Sequence, residues 1–279
     1  MPLHLHSDPQ LQQLLDEMPR EGWERNYYAK LVTRHSTQLY ADRVDMVQFV
    51  GEKKVLDVGC GFGQWAIELA RRNRSVVGVD PNPLLIKAAK RLAELHEMEN
   101  LAFCVDALPN LGFPDESFDL IWCWSVLMFV NRPAVLREFH RLLRPGGRFL
   151  AGAVNARGRW LYKTLQSLNP LNPRLFRLRR LRQCWATFRS GSDVEAVPNF
   201  TMRGASRALC ETFGFELVAV DFDGHIDFTG ENRRMPVFKP RFCFMENNIE
   251  FVGRKVRPAD TTAAAAGASL HGTPENTSS

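Results

Sequence analysis

The sequence predicts an α/β fold with a doubly wound, mostly parallel sheet, and three observations carry that expectation. The apolar run Lys54-Val55-Leu56-Asp57-Val58 passes directly into the turn Gly59-Cys60-Gly61-Phe62-Gly63, and Gln64–Ala70 then reads as a helix. Strand, glycine turn and helix in that order form the nucleotide-binding opening of such sheets. A second strand, Ser75–Asp80, follows at once and ends in an acid. Further short β-type runs then alternate with helical stretches, the pattern of strand–helix–strand crossovers.

The first strand carries Asp57 just before its glycines. Glycine in the turn lets a ligand approach bare backbone. A dinucleotide site needs G-x-G-x-x-G, but here the glycines stand at 59, 61 and 63 and Gln64 fills the last slot of that fingerprint. A phosphate-cradling P-loop is excluded, because no Gly-Lys-Ser/Thr follows. Asp57 repels a pyrophosphate and suits a cationic ligand. Asp80, about 20 residues on, stands where an acid takes ribose hydroxyls. Pro81-Asn82-Pro83 then opens a helix, with Asn82 as N-cap and proline in the first turn. Together these describe a pocket for an adenosine without phosphates.

At this point the chain resembles the class I S-adenosylmethionine-dependent methyltransferases, of the bacterial small-molecule type. Asp106-Ala107-Leu108-Pro109 and Phe113–Asp119 match the family's third-strand acid and its approach to strand four. Leu136–Arg148, with Arg144-Pro145-Gly146-Gly147, matches its helix and turn before strand five. The resemblance covers about residues 50–154. It implies a Rossmann-like seven-stranded sheet of order 3-2-1-4-5-7-6 with the last strand antiparallel. Strands are expected near 53–58, 75–80, 101–105, 118–123, 147–154, 214–220 and 248–254, with helices at 83–97, 133–143 and 202–213.

The resemblance also implies the site. S-adenosyl-L-methionine is the cofactor, held along Asp57, Gly59, Cys60, Gly61, Gly63, Asp80, Pro81, Asp106, Ala107 and Cys123. Asp57 serves the methionine end, Asp80 the ribose and Asp106 the adenine amino group. After strand four, Trp124 and Ser125 line the acceptor pocket, joined by Tyr28 from the N-terminal helices. Relatives often carry a histidine late in that run, where this chain has Met128 and Phe129. His225, in the loop after strand six with Asp221, Asp223 and Asp227, is the remaining candidate base.

The chain divides into an N-terminal helical cap at 1–50, a methyltransferase domain at 51–256 and a disordered tail at 257–279, rich in Thr, Ala, Gly and Ser. Between strands five and six lies an insertion at 156–192 with nine basic residues and no acid. The whole chain carries +5, so its remainder is net acidic. Leu and Trp recur there at helical spacing, which predicts a basic amphipathic lid. Such a lid suits an anionic acceptor, or a peripheral membrane contact through 156–189 with a lipid-linked acceptor. Nucleic-acid methylation has only those arginines in its favour: no Asn/Asp-Pro-Pro-Tyr/Phe motif follows strand four.

The six cysteines show no metal-ligand spacing, so no metal is expected and reduced thiols are. The N-terminus lacks a signal-peptide pattern and no apolar run approaches a membrane span. The expected protein is cytoplasmic, in contact with membrane at most through the lid. It methylates an O or N atom of a small metabolite, natural product or sugar.

Overall fold

The computed structural model describes residues 37–51, 53–127, 129–155, 204–237 and 248–257, with Gln13, Asp16 and Glu17. Tyr28, the basic insertion, the proposed lid and the tail beyond 257 therefore lie outside the described residues. Of the expected N-terminal helices, α1 (Thr37–Met46) is described. After it come β1 (Lys54–Val58), α2 (Gln64–Ala70), β2 (Ser75–Asp80), α3 (Pro83–Leu95), β3 (Leu101–Val105), β4 (Phe118–Trp124), α4 (Arg132–Leu142) and β5 (Leu143–Asn155). The C-terminal part adds α5 (Gly204–Thr212), β6 (Phe215–Phe222) and β7 (Asn248–Lys255).

The seven strands form one sheet in the order β3-β2-β1-β4-β5-β7-β6. β7 pairs antiparallel with both β5 and β6, so β6 runs parallel to the other five, as expected. The strand bounds agree with the sequence to within two residues except at β5. That strand begins at Leu143, four residues early, because Leu143 already pairs with Phe118 before a register shift around Pro145-Gly146-Gly147. Gly146 takes a φ of +81°, a left-handed conformation that lets the chain bulge and rejoin the ladder.

Helices cover both faces. Trp65, Ala66 and Leu69 of α2, Ile86 and Ala89 of α3, and Tyr40 and Val44 of α1 pack on the face formed by Val55, Leu120, Trp122, Trp124 and Leu150. Val135, Leu136 and Phe139 of α4 and Cys210 of α5 cover the other, built from Leu56, Val58, Ile121, Phe149 and Phe251. The caps of α3 and α4 follow the sequence: Asn82 and Asn131 each accept a backbone N–H of the first turn, and a proline follows.

Three aromatic side chains lie flat over glycines of the adjacent strand, each at the paired position: Phe103 over Gly78, Trp124 over Gly152, and Phe149 over Gly253. A Cβ on those glycines would stand 2.5, 2.0 and 2.3 Å from the ring atoms. Phe149 is fully buried, with ring centroids of Phe139, Phe215 and Phe251 at 5.6, 4.8 and 5.7 Å. Phe149→Ala is expected to cost about 3–5 kcal/mol, because the glycine opposite supplies nothing to fill the void. Urea unfolding should show a lower midpoint at unchanged slope. A loss under about 1 kcal/mol would contradict this packing.

Candidate functional site

The carboxyl ends of β1, β2, β3 and β4 share one edge, and the acids read from the sequence stand along it. Asp57 precedes the glycine turn and is 1% exposed. One carboxyl oxygen, Oδ2, has no hydrogen-bond partner among the described residues. Burial, and then the neighbouring Asp80 carboxylate, push its pKa up to about 8, against the pull of the Ala66 backbone N–H. A buried acid with an open lone pair beside a second acid is a place that favours a cation or a proton.

Asp80, at the end of β2, is also buried. Its Oδ2 accepts the Gly61 N–H at 3.1 Å and its Oδ1 accepts the Asn82 N–H at 2.9 Å. The same carboxylate thus orients the glycine turn and the start of α3. Pro81 between them is exposed. Asp106, beyond β3, is half-buried and accepts the Ala107 N–H at 2.8 Å and the Gly112 N–H at 2.9 Å. Ala107 is exposed beside it.

All three turn glycines have positive φ, but they differ in what a side chain would meet. A Cβ at Gly59 would stand 2.2 Å from Val126 Cγ2, and one at Gly63 would stand 2.6 Å from the Phe103 ring. At Gly61 nothing among the described residues lies within 4 Å. Two of the glycines therefore admit neighbouring side chains of the protein, whereas Gly61 is left open by the described residues. The Cys60 side chain is buried against Gly78, where burial raises its thiol pKa. Cys123 is fully buried in the opposite layer, among Leu56, Val58 and Ile121, and burial raises its thiol pKa as well. Both thiols are protonated and inert.

Trp124 ends β4 on the same face as Asp57. Its ring packs against Trp65 at 4.9 Å and Trp122 at 6.0 Å between centroids. Ser125 takes a φ of +62°, uncommon for a residue with a side chain, and its N–H donates to Gly152 O. That turn sends Val126 under Gly59. Arg132, 5% exposed at the start of α4, donates from Nε to Leu127 O at 3.0 Å and pins the same loop.

The segment after β6 folds back over this face: Ile226 and Val237 join the core that holds Trp124, and the Phe228 N–H donates to Met46 O. His225 is half-buried there, with Nδ1 3.9 Å from Asp221 Oδ1. Asp223 is buried, and Asp227 is engaged by Thr229 and the Arg233 N–H, which hold its carboxyl below the usual range despite burial.

Sequence reading did not single out the buried pair Arg43–Glu250, both fully buried. A glutamate inside the apolar run Ile249-Glu250-Phe251-Val252 was the available signal. Nor did it find Glu138, whose carboxylate accepts the Leu111 N–H and pairs with Arg141. Together they brace the loop that places Gly112 against Asp106. Among the described residues no group of three potential metal ligands is gathered.

Residues 55–147 match the family model described as a methyltransferase domain. An uncharacterized methyltransferase of Schizosaccharomyces pombe is 34% identical over 142 residues, covering 48% of this chain and 52% of that one. A ubiquinone biosynthesis O-methyltransferase of Pseudomonas aeruginosa is 35% identical over 108 residues, covering 37% and 45%. The chain thus spans about half the length of the curated relatives it matches. A crystal structure from Pyrococcus horikoshii superposes with a TM-score of 0.53 over 82% of this chain and 98% of that one, at 20% identity, which speaks to the fold.

Two outcomes follow from the turn. Gly61→Ala should cost only the left-handed backbone strain, about 1–2 kcal/mol, whereas Gly59→Ala adds the clash with Val126 and should melt several degrees lower still. Equal melting points would contradict the difference in space. The raised Asp57 pKa also fixes a sign. Its folded value of about 8 lies above the ordinary 3.8, so the folded protein holds an extra proton between them. That contribution to stability is complete at and below about pH 4 and is lost as pH rises through about 8. Unfolding of the ligand-free protein should therefore show stability declining with pH across that window, and Asp57→Asn should flatten the decline.

Proposed function

We propose that this protein is a class I S-adenosylmethionine-dependent methyltransferase, a reading supported by the match over residues 55–147 and by the methyltransferase relatives, and that it transfers a methyl group from S-adenosyl-L-methionine to an oxygen of a small-molecule acceptor. The observation that carries the reading is the desolvated Asp57 carboxyl, with one oxygen unpartnered among the described residues, beside Asp80 at a turn where no described residue crowds Gly61. Those features fit a positively charged adenosyl ligand: the acid wants a cation, and the open glycine admits close approach. They disfavour a pyrophosphate, which would face two carboxylates. When bound, the cofactor supplies an electrophilic methyl group on a sulfonium.

In this reading Asp57 holds the charged methionine end and becomes ionised as it does so. Asp80, already oriented by the Gly61 and Asn82 amides, accepts from the ribose hydroxyls. Asp106 accepts from the adenine amino group, with Ala107 offering its backbone. Gly59, Gly63, Cys60 and Pro81 shape the rim, the glycines by admitting Val126 and Phe103; Cys123, expected at the cofactor from the sequence, is buried in the opposite layer and takes no part. Trp124 and Ser125 border the acceptor. Because the methyl is already activated, alignment of the acceptor and exclusion of water supply much of the rate, and a base is a secondary aid. His225, on the segment folded over this face, is the candidate for that aid.

The oxygen as acceptor atom is supported by the name of the Pseudomonas aeruginosa relative, an O-methyltransferase. Among the described residues no helix is long and apolar enough to cross a membrane. Domain bounds of 1–50, 51–256 and 257–279 remain part of the proposal.

Calorimetry with S-adenosylmethionine tests the cofactor half. The wild type should bind, Asp80→Ala should weaken binding at least about tenfold, and affinity should rise from about pH 6 to about pH 8 as Asp57 gives up its proton. An unchanged affinity in Asp80→Ala would remove the ribose assignment. For the acceptor half, phenol, sugar-hydroxyl and amine probes are incubated with the cofactor and screened for the mass of one added methyl. Gain on amines alone would overturn the oxygen assignment.

A further inference from the structure

We propose that Arg43 is a positioning residue for the acceptor site, acting through Trp124. The proposal rests on the reading that the acceptor meets the end of β4. Arg43 lies on α1 and is fully buried. Its guanidinium carbon stands 5.4 Å from the centroid of the Trp124 ring. Nη2 donates to Glu250 Oε2, while Nε and Nη1 have no partner among the described residues. The other oxygen of Glu250 accepts the Ile226 N–H at 3.0 Å, and the Gly224 N–H also donates to this carboxylate. One ion pair thus joins α1, β7, the segment after β6 and the last residue of β4.

Trp124 depends on such walls for its orientation. Its Nε1–H has no hydrogen-bond partner among the described residues, so no polar contact fixes the ring. Gly152 leaves room on the sheet side, and Trp65 and Trp122 bound it within the core. Arg43 is the charged wall. A cation held over an aromatic face is attracted to the ring as well as packed against it, so it favours one ring position.

Stability alone does not account for the choice of residue. A methionine or leucine would fill the same space without desolvating a charge, and buried ion pairs are commonly neutral or inferior to apolar substitutes of like volume. Two guanidinium nitrogens without partners among the described residues weaken this pair further. What an apolar replacement would lose is the attraction that orders the ring beside the methyl-transfer site.

The test uses the full chain with the double substitution Arg43→Met/Glu250→Leu, which avoids stranding either charge, and the single substitution Arg43→Lys. Tryptophan is replaced by 5-fluorotryptophan and the Trp124 resonance is assigned by its loss in Trp124→Phe. The double variant should melt at or above the wild-type temperature and bind S-adenosylmethionine within about twofold of wild type, while its Trp124 fluorine signal shifts or broadens. With a probe that the wild type methylates, KM for that probe should rise about tenfold and KM for the cofactor should hold. Arg43→Lys, which keeps the positive charge over the ring though not the planar stacking, should recover the fluorine signal and part of the KM. An unchanged Trp124 signal overturns the proposal, as does a midpoint several degrees lower, which would make the pair structural, or an unaltered acceptor KM. Failure of the wild type to bind the cofactor would count against the methyltransferase reading, and the fluorine and melting comparisons would still decide the role of Arg43.

Discussion

A carboxyl group shielded from solvent, Asp57, sits near the end of β1 beside a second acid, Asp80, at the glycine turn. Such an arrangement is costly in an empty fold, since two buried negative charges repel and burial shields both from solvent. The raised pKa of Asp57 is the protein's own relief: it takes up a proton. A cationic ligand relieves the same cost by a different route, and Gly61, left open by the described residues, gives it access. The site's preference for positive charge and its pH dependence thus have one electrostatic cause.

The sheet that carries this carboxyl packs rings over glycines. Phe103, Trp124 and Phe149 each use the missing side chain of the residue paired with them on the next strand. Large rings thereby fit flat against a sheet that still has helices on both faces. The same rule reaches the ligand edge, where Gly63 admits the Phe103 ring and Gly59 admits Val126. A glycine-rich turn serves two ends here: one position is left open by the described residues, and its neighbours lock the turn to β3 and to the loop after β4. The strained Ser125 and the buried Arg132 hold that second loop from its other side.

The face that holds Trp124 is assembled from pieces far apart in the chain. α1 comes from the N-terminal part, Trp124 from the middle, and Ile226, Val237 and Glu250 from the C-terminal strand pair. β6 lies at the sheet margin, and a residue following it would stand far from the cofactor edge but for the return of the 223–237 segment onto the Trp124 face. Burial of Ile226 and Val237 drives that return, and the amides of Gly224 and Ile226 on Glu250 fix its path. His225 owes its place to this fold-back.

The local code determined much of this protein. Alternating strand and helix patterns, Asn-Pro starts at α3 and α4, and the spacing of Asp57, Gly59, Gly61, Gly63, Asp80 and Asp106 each follow from short-range rules of backbone conformation and capping, so the sheet, and the gathering of these acids and glycines at one edge of it, were legible in the sequence. Tertiary structure decided what depends on partners distant in sequence. It distinguished the one open glycine from two that accommodate side chains, it paired Arg43 with Glu250 across 207 positions, and it placed Cys123 in the layer facing away from Asp57. Whether a charged side chain is buried, and against what, depends on elements that meet only when the sheet closes around its crossovers. No window of neighbouring residues contains that information.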